Sequence, residues 1–248
     1  MTTPKTSAIV VTYHTGPRFR DCLYALKSDP EVDEVIIVDN GNPEPISSWL
    51  SEDVAGWDKT GALLRSGKNL GFGAACNKGA EAAAGEVLIF INPDAMIRRQ
   101  SVSKFREVFD TNETPCLVGG KIFGIDGKEQ RGARRNELTW AAALGLKKWT
   151  LHGESLPGGP MAVPVVSGAF FAIRKADFAA VGGFDEQYFL HVEDVDLCRS
   201  VRAAGGAVIY QPVAAALHFG ATSDAPSAVV AAHKADSLSY YFKKWARG

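Results

Sequence analysis

Along the first hundred residues apolar runs recur at short intervals, and each ends in a polar group. Ala8-Ile9-Val10-Val11 runs into Thr12 and Tyr13, Val35-Ile36-Ile37-Val38 into Asp39 and Asn40, and Val87-Leu88-Ile89-Phe90-Ile91 into Asn92-Pro93-Asp94. Unbroken apolar runs of this length predict strands buried on both faces, and Pro93 stops the last one because proline cannot extend a ladder. Residues 7–94 accordingly predict strand 8–13, helix 17–28, strand 34–39, helix 46–54, strand 61–66, helix 72–84 and strand 86–91. Gly16-Pro17 opens the first helix, Asp29-Pro30 closes it, and Gly85 is expected to cap the third at its C-terminus. This alternation implies βαβ units and a mostly parallel sheet. Ligands of such open sheets bind beyond the carboxyl ends of the strands, so Thr12, Asp39, Asn92 and Asp94 are expected to line one crevice.

After Asp94 the pattern changes. A helix is predicted over 100–110, a strand over Cys116–Phe123 and a turn at Asp126-Gly127. The run Arg131-Gly132-Ala133-Arg134-Arg135 then leads into a poorly periodic stretch, 136–164, of the length that is usually functional or mobile. The three arginines either bind anionic oxygens or form a solvated basic turn. A strand over Val165–Ile173 is interrupted by Ser167-Gly168-Ala169, small residues that let another group approach the backbone. Val192–Ala204 predicts a helix ended by Gly205-Gly206, with Glu193, Asp194 and Asp196 in its first turn, where acids complement the helix dipole. A strand over Ala207–Tyr210 leads through Pro212 to His218. The last helix, Ser227–Trp245, ends in Tyr240-Tyr241-Phe242-Lys243-Lys244-Trp245, which either packs on the core or touches an anionic membrane.

Composition narrows the classes. The 248 residues are 46% hydrophobic and 22% charged, ordinary for a globular protein, and a net charge of -1 gives no bulk attraction to nucleic acid. Four widely spaced cysteines, Cys22, Cys76, Cys116 and Cys198, read as reduced core residues. The polar N-terminus lacks a signal-peptide core and no apolar run reaches membrane-span length, so the expectation is a cytoplasmic chain. The pair Gly71 and Gly73 suggests phosphate binding or merely a tight turn. Cys76 occupies the place of the third glycine of a dinucleotide fingerprint, which disfavours a Rossmann dehydrogenase.

Ile9-Val10-Val11-Thr12-Tyr13, Val38-Asp39-Asn40, Asn69-Leu70-Gly71-Phe72-Gly73, Asn92-Pro93-Asp94-Ala95, Ser167-Gly168-Ala169-Phe170, Gly182-Gly183-Phe184-Asp185-Glu186, Glu193-Asp194-Val195-Asp196 and His218 together give the clearest signal. In this order and spacing they make the chain resemble the inverting family 2 glycosyltransferases, most closely the bacterial rhamnosyltransferase-like branch. The resemblance implies a single-domain α/β glycosyltransferase A-type fold over 1–248, with a mostly parallel central sheet flanked by helices. Residues 7–95 would form the nucleotide-binding half, 96–224 the acceptor half and 225–248 the C-terminal helix.

It also implies roles. Asp39 would accept a hydrogen bond from the pyrimidine imide of a nucleotide sugar, beside Thr12 and Tyr13. Asn92 would lie near the sugar or ribose, and Asn69, Gly71, Arg131 and Gly168 would complete donor binding. Asp94 and His218 would hold Mg²⁺ or Mn²⁺, Asp194 would be the general base, and Glu193 would orient it or touch the acceptor. His191 departs from the aromatic residue common before the acid pair. The chemistry is consistent: a cation neutralises the leaving diphosphate, and a carboxylate across the crevice activates the acceptor hydroxyl. dTDP-L-rhamnose is the favoured donor and a saccharide or lipid-linked saccharide of the cell surface the acceptor. Rival readings are a UDP-hexose or UDP-N-acetylhexosamine transferase, a non-catalytic nucleotide-sugar-binding subunit and, last, a nucleotidyltransferase. A lipid-linked acceptor would be met peripherally at the inner face of the membrane, through the C-terminal helix. Oligomeric state is left open.

Overall fold

Each apolar run of the first half forms a strand. The computed structural model describes residues 5–55, 57, 60–112, 115–220 and 227–246. From the N-terminus β1 (Thr6–Thr12), α1 (Arg18–Ser28), β2 (Glu34–Asp39), α2 (Glu44–Ala55), β3 (Thr60–Arg65), α3 (Phe72–Ala82) and β4 (Val87–Ile91) follow one another. β1 pairs in parallel with β2 and β4, and β2 with β3, giving the order β3-β2-β1-β4. Every residue of β1 and β4 is buried, as unbroken apolar runs require. Gly85 is not the cap of α3, which ends on Ala83. A Cβ at Gly85 would lie 2.6 Å from Ser7 Oγ and 2.7 Å from Ser7 N, so the glycine serves a close backbone approach to β1.

Beyond β4 come β5 (Ala95–Ile97), α4 (Ser101–Thr111), β6 (Cys116–Phe123), β7 (Arg134–Arg135), α5 (Trp140–Ala143), β8 (Met161–Ala162), β9 (Val165–Val166), β10 (Phe170–Arg174), α6 (Lys175–Ala180), α7 (Glu193–Ala203), β11 (Ala207–His218) and α8 (Ser227–Trp245). They continue the sheet as β4-β10-β6-β11-β5, with β8 on β11. β5, β8 and β10 run against the other six, so this is one α/β domain with a mostly parallel central sheet flanked by helices. Phe90 of β4 stacks on Phe171 of β10 at 4.8 Å, with Phe178 and Phe184 closing the cluster, so the antiparallel insertion is sealed by aromatic packing.

Two expectations are corrected here, and one strand is added. The strand expected over Val165–Ile173 is two strands in two sheets: β9 pairs with β7, β10 joins the central sheet, and Ser167-Gly168-Ala169 is the step between them. The strand expected to stop at Tyr210 runs on to His218, because Pro212 sits inside a register shift between Gln211 and Ala215, where no ladder hydrogen bond is lost. β5, unforeseen, starts directly after Asp94 and pairs antiparallel with the end of β11.

The basic-aromatic end of α8 packs inward. Tyr241 and Phe242 are buried, Lys244 bonds Asp185 and Asp196 at 2.8 and 2.7 Å, and Trp245 Nε1 donates to Asp196 Oδ1 at 2.7 Å. Lys243 remains exposed. Asp196 also accepts from the Tyr188 hydroxyl, so this acid of the first turn of α7 is a structural anchor. All four cysteines are free and buried, as expected. Among the described residues no helix is long and apolar enough to cross a membrane.

Candidate active site

Thr12, last in β1, lies opposite Asp39, last in β2. Asn42 ties the two loop mouths together. Its N–H and Nδ2 donate to Asp39 Oδ1 at 2.9 and 2.8 Å, Nδ2 also donates to the Thr12 carbonyl at 2.9 Å, and its Oδ1 accepts from the His14 N–H at 2.7 Å. Tyr13, 37% exposed, stands edge-on to the His14 ring beside this clamp. Asn40 holds the next loop: its Nδ2 donates to Asn69 Oδ1 at 3.0 Å and to the Gly71 carbonyl at 3.3 Å. Asn69 Oδ1 also takes the Gly71 N–H at 2.9 Å. Gly71, at φ +88°, faces the Phe189 backbone, whose carbonyl oxygen a Cβ would meet at 2.6 Å, and Gly73 packs on Phe184. The glycine pair thus serves close packing against 184–189, and both Asn69 and Gly71 are engaged within the loop.

The pairing of β5 with β11 sets His218 opposite Ala95, the residue after Asp94. His218 Nε2 is 3.3 Å from Asp94 Oδ1 and 3.3 Å from Asn92 Nδ2. Gln130 orients the ring. Its Nε2 donates to the His218 carbonyl at 2.7 Å, which turns Oε1 toward Nδ1 at 2.6 Å. Nδ1 therefore donates to Gln130, which leaves Nε2 as the ring nitrogen on the side of Asp94, as in a metal-binding histidine with an outer hydrogen-bond partner. Two donors about 2.1 Å from one octahedral ion lie about 3 Å apart, so the spacing suits a small divalent cation. Among the described residues no group of three or more His, Cys, Asp or Glu could hold a metal. The protein's share of such a shell is small, and phosphate oxygens and water would complete it.

α7 begins after His191 and Val192, both at positive φ, +68° and +72°. A β-branched residue there stores on the order of 1–3 kcal/mol, strain that clusters at functional sites. Asp194 Oδ2 accepts from Arg135 Nη2 at 2.5 Å and from the Gly168 N–H at 2.9 Å, and Oδ1 accepts from the Val195 N–H at 2.8 Å. A Cβ on Gly168 would sit 3.0 Å from Asp194 Cβ, so the group that the small tripeptide admits is this carboxylate. One residue on, the Ala169 carbonyl takes the Asn92 N–H at 2.9 Å. A continuous path thus links the Asn-Pro-Asp turn to the Glu-Asp pair. Glu193 is buried, and its Oε2 has no hydrogen-bond partner. Burial, then the neighbouring Asp194 charge, push its carboxyl up to about 8, with Arg135 pulling the other way. Two adjacent acids in such different surroundings are suited to different tasks.

Two of the three arginines of the basic turn are not solvated but buried in ion pairs. Arg134, 2% exposed, donates Nε to both Glu129 oxygens at 3.1 and 3.2 Å, and Arg135 pairs with Asp194. Arg131 alone is exposed, one residue after Gln130. Gln130, Asn42 and Arg135 were missed as site residues. Asn42 stands in an Asp-Asn-Gly-Asn turn that side-chain turn chemistry could have flagged. Nothing local marks Gln130, which lies 88 residues from its partner.

The fold is that of the A-type glycosyltransferases, and solved structures share it. GalNAc-T7 with UDP, GalNAc and Mn²⁺ superposes with a TM-score of 0.76 at 16% identity, over 98% of this chain and 48% of that one. The mannosyltransferase PcManGT of Pyrobaculum calidifontis, with GDP-Man and Mn²⁺, gives 0.69 at 17% identity, over 99% of this chain and 65% of that one. This chain therefore spans about half to two thirds of the length of these solved proteins. Residues 7–182 match the family described as glycosyl transferase family 2, and the chain belongs to that family. It is 29% identical, over 91% of its length and 80% of the relative's, to the N-acetylglucosaminyl-diphospho-decaprenol L-rhamnosyltransferase of Mycobacterium tuberculosis. It is also 25% identical, over 85% and 82%, to the rhamnosyltransferase WbbL of Escherichia coli.

Proposed function

We propose that the chain transfers L-rhamnose from dTDP-L-rhamnose, with inversion, onto a saccharide or lipid-linked saccharide in cell-surface polysaccharide synthesis. The names of the two rhamnosyltransferase relatives support the sugar, and the first of those names supports a lipid diphosphate acceptor. The observation that carries the reading is the path from Asn92 through Ala169 and Gly168 to Asp194, because it ties the turn that bears Asp94 to the backbone that holds the Asp194 carboxylate.

Asp39 accepts the imide N–H of thymine, with Thr12 and Tyr13 beside the base, and Asn92 meets the ribose or sugar. Arg131 is exposed and free to reach the diphosphate. Asp94 and His218 would hold Mg²⁺ or Mn²⁺, which neutralises charge on the departing diphosphate. Asp194 takes the proton of the acceptor hydroxyl as that oxygen attacks the anomeric carbon from the face opposite the leaving group. Arg135 and the Gly168 N–H hold the carboxylate on line, and Glu193, buried beside it, orients it or touches the acceptor.

Thermal shift with dTDP, UDP and GDP plus Mn²⁺, alongside release of nucleoside diphosphate from a donor panel, tests this. The expected result is greatest stabilisation by dTDP and turnover of dTDP-L-rhamnose. Preference for UDP would replace the donor with a UDP-hexose or UDP-N-acetylhexosamine, since uracil offers the same imide. Stabilisation without release would mark a binding subunit. Asp94→Ala should abolish Mn²⁺-dependent dTDP affinity in calorimetry, and unchanged affinity would sink the metal assignment.

A further inference from the structure

We propose that the turn carrying Trp140, Leu144, Leu146 and Lys147 docks on the surface of an anionic bilayer, a surface that deepens the lipid-linked acceptor reading and rests on it. Trp140, Leu144 and Leu146 are 62%, 70% and 79% exposed, and Ala143–Lys148 form an unbroken exposed run. The run holds two lysines and no acid. Large apolar side chains with a Trp and adjacent lysines are the composition that settles at the boundary of headgroups and acyl chains.

The turn is built to present these groups. Thr139 Oγ1 caps α5 by accepting from the Ala142 N–H at 3.2 Å. The N–H groups of Gly145 and Leu146 return to the carbonyls of Ala142 and Ala141 at 3.1 and 2.8 Å, with Gly145 at φ +74°. Leu138 and Ala142 root it in buried surroundings. On one side Trp140 stacks on Phe242 of α8 at 3.8 Å, beside the exposed Lys243. On the other, Trp149 lies 5.2 Å beneath the Arg135 guanidinium, whose Nη2 holds Asp194. The turn is therefore linked through Trp149 and Arg135 to Asp194, the proposed base.

Charge favours a lipid surface over a second protein. With a net charge of -1 the chain as a whole is not drawn to anionic membranes, so the attraction has to be local. Lys148 is paired with Glu154, whereas Lys147 is exposed at the tip. This turn supplies the contact that the inward-packed end of α8 does not.

Sedimentation of the full chain with vesicles of phosphatidylcholine, alone or with about one third phosphatidylglycerol, is the test. Binding to the anionic vesicles, weakened by salt, is expected. Leu144→Ser with Leu146→Ser should cut vesicle affinity at least about tenfold and Lys147→Glu about fivefold, at unchanged melting temperature and donor turnover. Wild-type chain left in the supernatant, or variants that bind as the wild type does, would overturn the proposal. So would a double variant that splits a dimer in analytical ultracentrifugation without altering vesicle binding, since a second copy then covers the patch. Donor turnover without vesicle binding rejects the docking surface alone. Vesicle binding without turnover of any donor upholds the surface and rejects the transfer reading instead.

Discussion

From β1 to β4 the chain adds strands around β1, each across one helix, and leaves the polar end of β1, β2 and β4 at the same edge of the sheet. Beyond β4 chain neighbours are seldom sheet neighbours: β10 lies between β4 and β6, and β11 between β6 and β5. The first region delivers Thr12, Asp39, Asn92 and Asp94 by repetition of one local unit. The second delivers His218, Arg135, Asp194 and Glu193 by contacts between distant segments, and it pays for them with strained backbone at His191 and Val192. The polar strand ends of the first region can thus be preformed by simple topology, while the groups proposed to take a proton or complete a metal shell depend on accurate packing.

The sharpest break in this comparison is expected at Asp194. Asp194→Asn keeps the shape and the contact with Gly168, so donor affinity should change little, while kcat falls by about 10² to 10⁴-fold. A near wild-type rate would reduce Asp194 to a helix-end acid worth a few tenths to about 1 kcal/mol and pass the role of base to Glu193. Asp196, held by Tyr188, Lys244 and Trp245, is not a substitute.

The metal side should respond in graded fashion. His218→Ala is expected to weaken Mn²⁺-dependent dTDP binding less than Asp94→Ala does, since water can replace one imidazole. Gln130→Leu, which touches no ligand, should still cost about 10 to 100-fold in Mn²⁺ affinity by releasing the ring that it orients. Calorimetry that finds Gln130→Leu silent would show that β5–β11 pairing alone aims His218.

The smallest effect is expected at Glu193 and is a matter of pH. Its carboxyl is raised from 4.5 to about 8 by burial, so the folded state holds a proton that the unfolded chain releases. The associated stability is complete below about pH 4.5 and is lost as pH rises through about 8. Glu193→Gln mimics the protonated form and should melt with the wild type at pH 5. At pH 9 it should be more stable by on the order of 1–3 kcal/mol. Parallel melting curves across that range would place the Glu193 proton elsewhere.

Much of the first region was legible in the residues. Its seven elements fall within a few residues of their expected bounds, because apolar runs and helix spacing are local signals. Legibility failed where a partner decided the outcome. Ala95–Ile97 is too short to announce a strand without the end of β11 beside it, and Pro212 reads as a stop unless the bulge that absorbs it is known. The arginines of 131–135 look like a surface cluster until Glu129 and Asp194 are seen to neutralise two of them.

By itself the sequence determined the fold class, the strand ends that bear Thr12, Asp39 and Asp94, and the family, since these rest on periodicity and on motifs read in order. Only the tertiary structure decided that Gly71 serves Phe189, that α8 turns its basic-aromatic end inward, that Gln130 aims His218, and that Gly168 and Arg135 hold Asp194. The physical reason is range. Burial patterns repeat every few residues along the chain, whereas hydrogen bonds and ion pairs between side chains tens of residues apart exist only after the sheet has brought them within about 3 Å.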